Sequence, residues 1–426
     1  MNFWNRGVRI PYNKEPAASR GVLPLSPVGP LLVPLCYGDT ADALPAAAAG
    51  ARMERGEVLS DPGEDTPSLA TVTGIFEDIR TISHPVVGQV SCAVLRPQPE
   101  DNPPPAQPAP LTKQEAEAAD GLGTDAILDA ARRAGIIDEL DGVPLHLKLA
   151  DWKEKAVDVL VADGTEAEPY ASSAWAVLTE SAEDVWRGLA LAARAAGVPR
   201  YHVAVLLPSK RRRPLAQRLG EGAVYPVRSK YPVVRLTGGT GRSVVCRIGV
   251  QAALALCRAA ALGEPQTSCV LTVAGDAVAN PQNVRVPFGT PAGEVLRACG
   301  LSSDPQYLIF GDAMTGVTAD SADTPILPGT TCLLALVSRA VLPPRPCMGC
   351  GRCARVCHAG LLPYEIVRRL ENMHYERLAS LDPGACDGCG ACSHVCPAGR
   401  DVTAKVLEAR QTRGTIFLNW GDDDDA

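Results

Sequence analysis

Eight of the chain's 15 cysteines fall in two runs. Cys347, Cys350, Cys353 and Cys357 are spaced C-x2-C-x2-C-x3-C, and Cys386, Cys389, Cys392 and Cys396 repeat that spacing 39 residues later. The doubled pattern points to two [4Fe–4S] clusters, each needing four thiolates around one small volume. The fourth cysteine of each run in such proteins ligates the other cluster. One cluster is therefore assigned to Cys347, Cys350, Cys353 and Cys396, and the other to Cys386, Cys389, Cys392 and Cys357. Glycines at 349, 351, 388 and 390 let the backbone turn around a cluster and aim its N–H groups at sulfur. Pro397 follows the second run, whereas His358 follows the first, where proline is usual. Zinc would use paired CxxC knuckles well separated in sequence, and neither run divides that way. Disulfides are disfavoured by the odd cysteine count and by the absence of an export signal.

A chain of 426 residues exceeds one domain and is expected to hold three or four. A net charge of −7 gives no electrostatic support for nucleic-acid binding. The one basic block, Lys210–Arg213, reads as a solvated loop beside Pro208 and Pro214, with docking of an acidic partner as the sharper alternative. No apolar stretch is long enough for a membrane span. Residues Met1–Arg6 lack a hydrophobic signal core. The chain is thus expected to be cytoplasmic, reaching the inner face of a membrane only through partners. Asp422–Asp425 reads as a disordered acidic tail.

The fold class expected is multidomain α+β. Residues 1–100 read as short strands, including Gly50–Leu59 and Ala70–Ile79, and resemble the barrel-sandwich hybrid of lipoyl-type domains without its lysine. A proline-rich linker spans 101–114. Residues 115–262 alternate helix and strand as a Rossmann-like α/β layer, with helices at 125–134, 182–196 and 250–261 and strands at 157–162 and 202–207. A small α+β unit covers 263–340, with strands at 270–273, 284–286, 307–310 and 331–336 and a helix at 291–299. The dicluster ferredoxin-like domain covers 341–405, with an amphipathic helix over 363–381 carrying Ile366, Leu370 and Met373 on one face. A tail occupies 406–426. Gly238–Gly241 reads as a turn, since it lacks the lysine of a phosphate loop. The remaining cysteines, at 36, 92, 246, 257, 269, 299 and 332, read as small buried hydrophobes.

The order of modules resembles the RnfC family, the iron–sulfur subunits of the Rnf-type ion-translocating oxidoreductases. Gly56–Leu59 and Val72–Gly74 look like that family's N-terminal repeat, Asp163–Tyr170 like its N-G-x-E-C-E-P-Y segment, and Ser229–Pro232 like its T-K-Y-P. Thr272–Val278 and Val286–Pro291 resemble its soluble-ligand-binding β-grasp (SLBB) unit. The resemblance implies an α/β domain akin to the nucleotide-binding subunit of NADH dehydrogenases. It further implies a role relaying electrons within a membrane complex, with ferredoxin or NAD at the ends of the chain.

One departure stands out. The family's G-x-x-G-x-G-G-A-x-F-P-T loop reads here Gly135-Ile136-Ile137-Asp138-Glu139-Leu140-Asp141-Gly142-Val143-Pro144, with Lys148-Leu149 kept. Gly135 and Gly142 survive, but Asp138, Glu139 and Asp141 would face and repel a phosphate, and their side chains would fill the flavin space. The loop is predicted not to bind FMN or NADH in the usual manner. Glu166 and Glu168, which the resemblance makes site carboxylates, then read as acids kept for fold reasons. The functional expectation is a relay subunit rather than a stand-alone catalyst, passing single electrons among the members of an Rnf-like complex. The alternatives are a flavin-dependent NADH or cobalamin-type reductase, and an iron–sulfur adaptor for a dedicated reductase.

Overall fold

The computed structural model describes residues 6–37, 44–60, 66–206, 212–227, 230–232, 244–337 and 343–420. The glycine turn at 238–241, the acidic tail at 422–425 and Lys210 and Arg211 of the basic block lie outside these. The chain divides into two compact units: one of residues 1–12, 229–234 and 339–426, the other of residues 13–228 and 235–338.

In the larger unit, Val224–Val227, Arg200–Leu206, Val159–Gly164 and Val245–Gly249 form an all-parallel sheet in that spatial order. Numbered along the chain this is 3-2-1-4, as in half of a doubly wound nucleotide-binding sheet. Val159–Gly164 is buried at five of its six positions, as a strand covered on both faces must be. The helix expected from 182 begins at Ser173 and runs to Ala195, bending at Ser181 where φ is −137°. It crosses Val250–Leu262 so closely that a Cβ on Gly188 would lie 1.7 Å from the Ala253 carbonyl oxygen.

A six-stranded sheet follows, in the order Leu23–Pro24, Gln282–Pro287, Ser268–Ala274, Cys332–Leu336, Tyr307–Phe310 and Val317–Ala319. Ser268–Ala274 and Cys332–Leu336 pair in parallel at its centre, and Phe288, Leu296 and Phe310 fill its core. A four-stranded sheet orders Leu31–Pro34, Gly88–Pro97, Gly74–His84 and Arg52–Met53, beside a pair of Val58–Ser60 with Ser68–Leu69. The single strand expected over 50–59 is thus two short ones. Residues 1–100 are also not one module: Leu23–Pro24 pairs with Gln282–Pro287, and residues 6–12 belong to the cysteine-bearing unit. Of the scattered cysteines, 92, 257, 269, 299 and 332 are buried as expected.

In the smaller unit the helix begun at Pro363 stops at Glu371, not 381. The Asn372 side chain donates to the Arg368 carbonyl, Met373 takes a left-handed φ of 54°, and its side chain is 71% exposed. Met373 therefore leaves the apolar face formed by Ile366, Val367 and Leu370. The tail expected from 406 is helical instead. A helix spans Val402–Trp420, and Val406 and Ala409 pack into the same core.

Candidate metal centre and nucleotide loop

Both cysteine runs fold alike. Each opens on a glycine-bent loop and closes on a short helix, Arg352–Val356 in the first and Ala391–His394 in the second. Gly349, Gly351, Gly388 and Gly390 all take φ between 65° and 77°. A Cβ at 349 or 351 would meet nothing within 4 Å, so dihedral freedom, not crowding, selects glycine there.

Cys347, Cys350, Cys353 and Cys396 line one cavity of about 470 Å³, including the open space at its mouth, together with Tyr364 and Val367. Cys357 is not among its lining residues. It acts instead on Cys386 and Cys392, whose thiols are raised first by burial and further by Cys357. Cys396 of the second run thus lines the cavity of the first, while Cys357 acts on cysteines of the second. Burial pushes Cys389 up to about 12 and Cys392 up to about 11, so these thiols hold protons that a cationic centre would displace. Thr403 lies with its hydroxyl 3.2 Å from the Cys392 sulfur. Four cysteines lining one largely apolar cavity suit a cubane cluster, which takes four thiolates.

Around both runs, distant segments hold the loop backbone. The Arg6 guanidinium donates to the Cys357 carbonyl (3.1 Å), Tyr231 to that of Cys389 (2.5 Å), and Arg410 to that of Cys386 (3.0 Å). His358, the residue in place of proline, sets Nε2 2.7 Å from the Asp387 carboxylate, which also accepts from the Cys389 N–H. This pair ties the end of the first run to the start of the second and holds the Asp387 carboxyl below its ordinary range. The ligand atoms of His358, Asp387 and Cys389 lie within 4.8 Å of one another. No sequence spacing announces these contacts, since Tyr231 and Cys389 are 158 residues apart.

The loop at 135–148 differs in one respect from expectation. Its carboxylates do not stand in a row facing outward. Asp138 is fully buried, accepts from the Gly249 N–H (2.9 Å) and pairs with Lys148 Nζ (2.5 Å), which also reaches Asp141 (2.7 Å). Glu139 accepts from the Gln251 and Ala252 N–H groups at 2.6 and 3.0 Å. It caps the helix Val250–Leu262, where free N–H groups and the helix dipole favour an anion. Burial pushes Glu139 up to about 8, with Asp138 adding to the rise. A Cβ on Gly249 would fall 2.0 Å from the Glu139 carboxyl carbon, so Gly249 makes room for this internal carboxyl. The loop also walls an open cavity of about 1650 Å³, including its mouth, whose lining among the described residues holds Glu139, Asp141 and Asp312 and no lysine or arginine. Asp312 is pushed up to about 7 by burial and by Glu168.

Glu166 and Glu168 serve the backbone. Glu166 accepts from the Ala174 N–H at the start of the long helix (2.8 Å), and Glu168 from the Met314 N–H and the Thr315 hydroxyl (both 2.7 Å).

Residues 346–400 match the family model for the 4Fe-4S dicluster domain. The chain is 29% identical over 407 residues to the C subunit of the Na(+)-translocating ferredoxin:NAD(+) oxidoreductase complex of Acetobacterium woodii, covering 88% of each chain. It is 26% identical to the proton-translocating counterpart of Clostridium ljungdahlii, covering 75% of this chain and 74% of that one. With the C subunit of the ion-translocating oxidoreductase complex of Rhodobacter capsulatus it shares 29% identity over 260 residues, which is 56% of this chain but only 50% of that protein. Over most of its length the chain is therefore similar to the RnfC-type subunits of the ion-translocating oxidoreductase complexes, and its C-terminal part carries a 4Fe-4S dicluster domain.

Proposed function

We propose that this chain is an electron-transfer iron–sulfur subunit that relays single electrons through two [4Fe–4S] clusters within an Rnf-like ferredoxin/NAD oxidoreductase complex. One observation carries the reading: Cys347, Cys350, Cys353 and Cys396 line one cavity, while Cys357 lies near enough to Cys386 and Cys392 to raise their thiols. Cys347, Cys350, Cys353 and Cys396 would hold one cluster, and Cys386, Cys389, Cys392 and Cys357 the other. When bound, the clusters supply one-electron storage at potentials set by charge, exposure and hydrogen bonds to sulfur. The chain's own part is to hold the sulfurs, to offer hydrogen bonds such as that from Thr403, and to fix the loop carbonyls through Arg6, Tyr231 and Arg410. The four-stranded sheet is read as a barrel-sandwich hybrid and the six-stranded sheet as the SLBB β-grasp unit. Among the described residues no helix is long and apolar enough to cross a membrane. Attachment at the cytoplasmic face through partner subunits fits that.

The nucleotide loop is read as closed to FMN and NADH. Glu139 takes the helix N-terminus that an approaching phosphate would use, and among the described residues the adjoining cavity wall offers acids and no lysine or arginine. The same observation favours, as a second reading, an iron–sulfur adaptor whose α/β domain is scaffolding for a dedicated reductase. Anaerobically prepared protein is expected to yield no flavin on extraction. Its visible absorbance should bleach with dithionite but not with NADH. Bleaching by NADH would refute the closed loop.

A further inference from the structure

The cavity beside the nucleotide loop is acidic within and aliphatic at its rim. Its acids are Glu139, Asp141 and Asp312. His84 also lines it, but burial lowers that imidazole to about 4, so it brings no positive charge. Two of the acids are already engaged. Glu139 accepts from the start of the helix Val250–Leu262, and Asp141 pairs with Lys148. Asp312 is different: its carboxyl makes no hydrogen bond or ion pair among the described residues, and its Oδ1 is enclosed without a partner. Burial and the Glu168 carboxyl raise it, and Lys14, which donates to the carbonyls of Glu166 and Ala171, opposes that rise only in part. A buried polar atom without a partner is rare in folded proteins, because its lost hydration goes uncompensated. An unspent acceptor on a cavity wall marks a place for a donor that the chain does not supply.

The rim has the opposite character. Val86, Val87, Leu140 and Val317 line the same cavity and are 60%, 54%, 40% and 43% exposed. Val86 and Val87 lie at the turn between the strands Gly74–His84 and Gly88–Pro97, Leu140 in the nucleotide loop, and Val317 at the start of the strand Val317–Ala319. Exposed aliphatic side chains from three separate segments thus gather at one opening, whereas scattered ones would mean nothing.

We propose that this cavity binds a small organic cation, a primary ammonium on an aliphatic body, with the ammonium at Asp312 and the body against Val86, Val87, Leu140 and Val317. Such a site lies wholly in the larger unit and works whether or not the clusters relay electrons. A bare metal ion would use the carboxylate and leave the aliphatic rim idle. A neutral apolar molecule would leave the carboxyl without a donor. An anion would meet acids and no basic side chain on the wall. An ammonium carries three N–H donors, and the Thr315 hydroxyl, which donates to Glu168, offers a second acceptor on the same wall. Binding makes and breaks no covalent bond.

The test is calorimetric titration of the anaerobic holoprotein with hexylamine, 1-hexanol and hexanoate, at a mildly alkaline pH that leaves the amine charged. Hexylamine should bind about tenfold more tightly than hexanol, and hexanoate should give no binding heat. D312N should weaken hexylamine about tenfold and leave hexanol as it was. V87K, at an exposed rim position where misfolding is not at issue, should also weaken hexylamine by placing a like charge at the mouth. Equal hexylamine affinity in D312N and the parent would overturn the site, and so would hexanoate binding as tightly as hexylamine. Mn²⁺ binding that D312N abolishes, with no heat from hexylamine, would give the carboxyl to a metal ion and overturn it as well. Failure of the relay reading would show elsewhere, as protein without cluster absorbance but with the hexylamine titration intact.

Discussion

Cys357→Ser is expected to abolish the resonance signal of one cluster while leaving the other in place, with iron and sulfide falling by about half. The lost signal should belong to the cluster of Cys386, Cys389 and Cys392, although Cys357 lies in the first run. The cavity lined by Cys347, Cys350 and Cys353 draws its fourth sulfur from Cys396, and Cys357 perturbs Cys386 and Cys392. A serine hydroxyl is a harder ligand that resists deprotonation, so it holds iron poorly where a soft thiolate is wanted. Cys396→Ser should give the mirror result. Retention of the Cys386-run signal in Cys357→Ser, with loss of the other, would reverse the pairing.

Lys148→Met is expected to destabilise the α/β domain by about 3–5 kcal/mol, because it strips the counter-ion from a buried carboxylate. Lys148 is 8% exposed and Asp138 is fully buried, 2.5 Å from its ammonium. Burial already raises Asp138, and Lys148 is the principal opposing influence. Without the lysine, the folded-state pKa of Asp138 rises further above its unfolded value. A carboxyl raised in this way contributes stability that is present at low pH and lost as pH rises through the folded pKa. The deficit should therefore be largest at neutral and alkaline pH and shrink on acidification. Asp138→Asn combined with Lys148→Met should recover most of the loss, since no uncompensated charge remains. Hydrogen exchange across Val250–Leu262 reads the effect locally, because Asp138 and Glu139 hold the start of that helix. Equal exchange in Lys148→Met and the parent would show that the ion pair bears no weight.

The cysteine runs are legible in the sequence because cluster ligation is written in local spacing. Regular elements are legible where periodicity decides them: the helix at Val250–Leu262 and the strand at Tyr307–Phe310 sit where the pattern places them. What the sequence hides depends on long-range partners. Leu23–Pro24 joins a strand some 260 residues away, and Tyr231 reaches Cys389 across 158. Met373 keeps the apolar spacing of its helix, but its own left-handed backbone turns it away, and spacing alone does not register that turn. The carboxylates at 138, 139 and 141 lie in the loop that the resemblance assigns to a nucleotide, but Asp138 and Glu139 point inward rather than outward. Their burial is tolerable only because Lys148 and the helix N-terminus receive them, and neither partner is apparent from the loop itself.

Iron and acid-labile sulfide, quantified in anaerobically prepared protein, test the whole account most directly. Equal amounts of each, matching two four-iron clusters per chain and falling by half in Cys357→Ser, are the expected result. A colourless preparation that contains zinc, or no metal, would contradict it.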